Sequence, residues 1–231
     1  MLILSIDSST RGCSVALYEQ DTLLASSEVY SDRSASAMLT VCIENVVKMA
    51  GHTLADLDAV AVAKGPGSYT GLRVAVSTAK GLCFALDKPL IAINTLQAMA
   101  VQLTGIFSED ILLCPMIDAR RMEVYSAIYN IHGIELMPTQ ALILDENSFM
   151  EYLSAHKLVF FGDGSDKCKR LLGSHPGAIF ITEDIRPSAR SVGKLAVAAY
   201  NAARFEDLAS FEPYYLKDFM SPKPKKSPLI P

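Results

Sequence analysis

No stretch of the 231-residue sequence approaches the ~18 uncharged apolar residues of a membrane span. The opening run Met1-Leu2-Ile3-Leu4 is too short for a secretory apolar region and has no basic residue before it. A cytoplasmic protein with no membrane partner is expected. Cysteine is sparse: Cys13, Cys42, Cys83, Cys114 and Cys168 stand far apart, form no CxxC pair and have no histidine at metal-ligand spacing. This disfavours disulfide and zinc frameworks and makes the five thiols candidates for reduced core residues. Charge is scarce as well, at 20% of residues against 50% hydrophobic, which excludes global disorder. The net charge of -4 argues against a protein that grips nucleic acid through its whole surface. The distribution is uneven, since Lys217, Lys223, Lys225 and Lys226 face only Asp218 between residues 216 and 231. That leaves a local +3 against -7 on residues 1–215, in a segment that also holds four of the 11 prolines. Such a tail reads as a solvated extension or as a binding arm.

What is present is an order of elements that occurs twice. Residues 2–7, 13–18 and 22–30 read as a three-stranded meander, followed by a helix over 34–50 that Gly51 ends. A strand (59–63), a helix (71–86), a strand (90–93) and a helix (95–104) complete the first half. The second half reads as strands 112–118, 122–131 and 134–143, with a turn at His132-Gly133. A helix capped by Asp145 and running to His156, a strand (158–161), a helix (166–172), a strand (178–182) and a helix (188–204) follow. Each half is βββαβαβα, and each ends its first strand in Ile-Asp, at Asp7 and Asp118. An α/β protein of two duplicated lobes is expected, residues 1–106 and 107–210, with the tail 211–231 returning to the first lobe. This order resembles the actin-like superfamily (ASKHA, ribonuclease H-like), whose members hold Mg-ATP phosphates between such hairpins.

The strongest local motif lies between a strand and a helix: Lys64-Gly65-Pro66-Gly67-Ser68-Tyr69-Thr70-Gly71-Leu72-Arg73. Glycines there permit positive φ and close backbone approach, so both phosphate contact and a tight turn seating the helix fit the residues. No Gly-Lys-Ser/Thr follows as in a Walker loop, and Ser68 directly after Gly67 does not make a G-x-S-x-G elbow. The decapeptide is similar to the GPGSFTGLR signature of the TsaB (YeaZ) family, with Tyr69 in place of phenylalanine. The similarity extends through residues 3–10, 117–125 and 213–217, in the family's order.

That resemblance implies a non-catalytic paralogue that dimerises with TsaD, the enzyme that transfers threonylcarbamoyl to the adenosine beside the anticodon of tRNAs reading codons that begin with A. It implies the ATPase TsaE as a further partner docking on that pair, and tRNA contact through the complex. It leaves open a homodimer in isolation and nucleotide binding at the complex interface. TsaD-like enzymes, once misnamed glycoproteases, hold a metal through His-x-x-x-His in the helix after the third strand. Here the matching helix has no histidine, and His52, His132, His156 and His175 lie far apart, so no metal site, cofactor or peptidase activity is expected. Weak nucleotide contact at Asp7, Ser9, Thr10 and Asp118 stays open, although Ala119-Arg120-Arg121 replaces a glycine-rich second turn. Two rival functions remain: an actin-like ATPase or small-molecule kinase using Asp7 and Asp118, and a stand-alone tRNA-binding protein using the basic tail.

The two long helices of the first half carry apolar arcs of roughly 180° and 200°, wider than the ~100° one sheet contact needs. The surplus suits either a partner or a neighbouring helix. The resemblance makes these helices the TsaD contact, through Met38, Leu39, Cys42, Ile43 and Val46 of the first and Leu72, Val76, Ala79, Lys80 and Cys83 of the second.

Overall fold

The computed structural model describes residues 1–30 and 35–217, which form two five-stranded mixed sheets. The first contains β1 (Leu2–Asp7), β2 (Cys13–Glu19), β3 (Thr22–Val29), β4 (Ala59–Gly65) and β5 (Leu90–Asn94), in spatial order β3-β2-β1-β4-β5. β1, β2 and β3 pair antiparallel, while β4 joins β1, and β5 joins β4, in parallel. The second contains β6 (Ile111–Asp118), β7 (Glu123–Asn130), β8 (Glu135–Ile143), β9 (Lys157–Phe161) and β10 (Ala178–Phe180), in order β10-β9-β6-β7-β8 with the same pairing senses. Read from β8, this is the first sheet repeated strand for strand. The central strands β1, β4, β6 and β9 are buried along nearly their whole length, as their unbroken apolar runs require.

Alternation along the strands divides the core between the two faces of each sheet. Leu4, Ile6, Val15 and Val62 meet α1 (Ala35–Met49) and α2 (Tyr69–Leu86), whereas Ile3, Ala61 and Ala63 point the other way, to Val192 and Ala196 of α6 (Ala189–Asn201). In the second sheet Cys114, Met116 and Phe160 pack with Leu153 of α4 (Met150–Leu153) and with Cys168 and Leu172 of α5 (Ser165–Leu172). Its other face, through Leu113, Ile117 and Phe161, holds Leu96 and Met99 of α3 (Thr95–Ala100). Thus the last helix of each half packs against the other half's sheet. All five cysteines are buried and unpaired.

Several boundaries differ from the sequence expectation, among them β4, β10 and α6 by two or three residues at their ends. The helix expected from Asp145 to His156 shrinks to α4, because the Asp145 carboxylate closes a turn on Asn147 N and Ser148 Oγ and Phe149 adopts a left-handed φ of 65°. α2 begins at Tyr69 rather than Gly71, with Ser68 as its cap. α3 ends at Ala100, short of Thr104. Ser34 and the basic tail from Asp218 onward lie outside the described residues. In the described part of the tail, Phe211 packs on the α1–α2 core and Lys217 reaches Ala119 of the second half.

Candidate functional site

Asp7 ends β1 and is buried, 3% exposed, with Oδ1 accepting both Ser9 N–H and Ser9 Oγ–H at 2.7 Å. Burial pushes its carboxyl up to about 6 against the downward pull of the Ser9 bonds. Asp7 Oδ2 has no hydrogen-bond partner among the described residues. The cavity beside it, lined by Thr10, Ser14 and Tyr30, measures about 10 Å³. That holds about one water and no phosphate. Ser9 is fully buried. Asp7 fixes its own turn through Ser9.

Asp118, at the equivalent end of β6, is satisfied from within the chain. Its carboxylate accepts Arg120 N–H at 2.6 Å and Lys167 Nζ at 2.7 Å, and its own amide donates to Asp163 Oδ1 at 2.8 Å. Partial burial works to raise the Asp118 carboxyl, but Lys167 and the Arg120 amide outweigh it and hold the group below its ordinary value. Arg120 and Arg121 occupy left-handed conformations, φ 69° and 51°, that favour glycine. A second lysine, Lys217, pairs with the Glu123 carboxylate and donates to Ala119 O at 3.2 Å. Two ammonium groups of the protein thus fill the acceptors of this hairpin.

The Lys64–Arg73 motif packs its glycines against the first hairpin and leaves Ser68, Thr70 and Arg73 exposed. A Cβ at Gly71 would lie 1.9 Å from Ser8 O, and one at Gly67 would lie 2.2 Å from Ser9 O. Only glycine lets α2 start this close to the first hairpin. Ser68 N–H donates to Ser9 O at 2.6 Å, and Ser8 Oγ donates to Gly71 O at 2.7 Å. Pro66 is buried behind Gly65, and Thr70 faces out. The segment 211–217 then lies across the motif. Tyr214 N–H donates to Lys64 O at 2.7 Å, Tyr215 stacks on Tyr69, and the Arg73 guanidinium stands 4.9 Å from the Tyr69 centroid. Two separate sequence motifs are therefore one contact.

The outward face of α1 and α2 differs from the expected residue set. Leu39, Cys42, Ile43, Val46, Leu72, Val76, Ala79 and Cys83 are all 3% exposed or less, inside the first-lobe core. Met38 is half-buried, and Lys80, also half-buried, donates to Phe211 O at 2.8 Å. These side chains hold the helices down. The apolar groups facing outward are Phe84 (85% exposed), Met49 (68%) and Val41 (43%). Gly81 and Ala85 neighbour Phe84 on α2, with Ser77 and Arg73 two and three turns before it, and around Val41 on α1 lie Glu44, Asn45 and Lys48, all exposed. Sequence reasoning passed over Phe84 because it stands off the apolar arc; a large aromatic amid polar neighbours was the signal.

The chain matches the family described as TsaD, tRNA N6-adenosine threonylcarbamoyltransferase, over residues 28–223. It is 30% identical to the tRNA threonylcarbamoyladenosine biosynthesis protein TsaB of Escherichia coli over 94% of this chain and 95% of that protein. The chain belongs to the TsaB family. The solved structure of YeaZ from Pseudomonas aeruginosa superimposes with a TM-score of 0.79 at 28% identity, covering 93% of this chain and 99% of that one. The activator of 2-hydroxyisocaproyl-CoA dehydratase from Clostridium difficile, at a TM-score of 0.50 and 10% identity over 88% of this chain and 96% of that one, shares the fold alone. The two lobes are actin-like in this sense. Among the described residues no helix is long and apolar enough to cross a membrane, and no group of three or more His, Cys, Asp or Glu is arranged to hold a metal.

Proposed function

We propose that this TsaB-family protein serves tRNA threonylcarbamoyladenosine formation as a non-catalytic subunit that docks on TsaD through the outward face of α1 and α2. The observation that carries the proposal is Phe84, 85% exposed on a helix whose other large apolar side chains are buried or half-buried. A solvent-exposed phenylalanine with polar Ser77 on the same helix face has the character of an interface anchor. The matching paralogue supports TsaD as the partner, since one family description fits both proteins over most of this chain. TsaE would dock on the resulting pair, and tRNA would be met through the complex, in the cytoplasm.

A non-catalytic role is supported by the closed first hairpin and the lysine-filled second one, which leave Asp7 and Asp118 engaged by the protein itself. The decisive measurement is the mass and affinity of a mixture with TsaD of the same organism. A heterodimer that Phe84→Glu weakens at least about tenfold is expected, the size of an anchor's contribution. Unchanged affinity, or ATP turnover by the isolated protein that Asp7→Ala abolishes, would overturn the reading.

A further inference from the structure

A hollow of about 410 Å³ opens where the N-terminal turn of α6 meets Tyr18 of β2, Glu28 of β3 and Tyr30. This is within the size range of small-molecule sites. Its two acids are already engaged: Asp184 pairs with Arg186, and Glu28 accepts the hydroxyls of Tyr30 and Ser188. Two of its cations are not. Arg190 and Lys194 line the hollow from successive turns of α6, about 6 Å apart along the axis, and neither has an ion-pair partner among the described residues. The floor is held rigid, with Tyr18 OH donating to Arg190 O at 2.9 Å and Gln102 Nε2 to Arg186 O at 2.7 Å. With Glu28 and the Asp184–Arg186 pair counted, the lining carries about +1, and both surplus cations stand on α6, which suits an anionic group placed against that helix. A phosphate monoester offers three acceptor oxygens to a guanidinium and an ammonium.

From this juxtaposition we infer that the hollow binds a small organic phosphate, with Arg190 and Lys194 holding the phosphate group. The site lies on the face of the first sheet opposite α1 and α2 and does not depend on the TsaD proposal. The test is calorimetric titration of the full chain with AMP, adenosine and inorganic phosphate, with AMP repeated on Arg190→Gln and Lys194→Gln. Both side chains are exposed, so the variants keep the fold, which circular dichroism checks. AMP and inorganic phosphate should bind and adenosine should not. Each substitution should weaken AMP by about tenfold, as loss of a charge-assisted bond does. No heat from AMP, equal binding of adenosine, or variants that bind AMP as the native chain does would overturn the site. A single-stranded RNA oligomer that binds more tightly than AMP and is weakened by the same substitutions would overturn the small ligand in favour of a polynucleotide.

Discussion

The ring of Tyr215 stacks on that of Tyr69, with centroids 4.6 Å apart and planes inclined at 28°. Tyr69 is the first residue of α2, and Tyr215 sits in the strap that runs on to Lys217 on the second lobe's hairpin. The pair therefore joins the signature loop to the segment spanning both lobes. Tyr215→Ala should lower the unfolding free energy by about 1 kcal/mol beyond the lost apolar area. A double-mutant cycle with Tyr69→Ala in urea denaturation measures it; a coupling energy of zero would mean the stack contributes nothing.

Glycine substitutions separate packing from propensity on the same helix. Gly71→Ala forces a Cβ to 1.9 Å from Ser8 O and should cost about 3 kcal/mol, because backbone on both sides must move. Gly81→Ala meets nothing within 4 Å in a helix interior and should stabilise by up to about 1 kcal/mol. Thermal unfolding of the two variants beside the native chain checks both signs.

Asp7 gives the protein a pH signature. The unfolded carboxyl titrates near 3.8 and the folded one at about 6, so between these values the native state keeps a proton that the unfolded state has lost. This group's contribution to stability is therefore most favourable at low pH, falls as pH climbs through that window, and levels off above it. Asp7→Asn preserves an acceptor for Ser9 and removes the ionisation. Its stability relative to the native chain should rise by about 2 kcal/mol between pH 4 and pH 7.5. Urea midpoints measured across that range decide it, and a pH-independent difference would show that Asp7 titrates normally.

How far the chain could be read in advance depends on whether its determinants are local. β1 and β6 were legible because each is an unbroken apolar run closed by Ile-Asp, and the repeat of that pattern announced both sheets. The left-handed Phe149 that delays the start of α4 to Met150 was not, since nothing in its identity marks it. The Lys64–Arg73 motif announced a close approach but not its target: the atoms its glycines admit belong to Ser8, Ser9 and Tyr214, brought there by tertiary packing. The apolar arcs of α1 and α2 gave only a width of greasy surface. They could not show how sheet, neighbouring helix and water share it, and the sharing left Val46 at the centre of the core and Phe84 in solvent.

That sharing yields opposite outcomes for two glutamates on the same pair of helices. Val46 is 0% exposed and packs within the cluster that seats α1 on the sheet. Val46→Glu would bury an unpaired carboxylate and should cost about 4 kcal/mol or more, so any loss of TsaD binding there would follow from unfolding. Phe84→Glu exchanges a solvated ring for a solvated charge and should change stability by no more than about 0.5 kcal/mol. If α1 and α2 form the docking face, Phe84→Glu keeps the native melting temperature and loses the partner, whereas Val46→Glu loses both. Differential scanning calorimetry paired with a TsaD titration distinguishes these outcomes, and a Phe84→Glu protein that melts and binds like the native chain would remove this face from the interface.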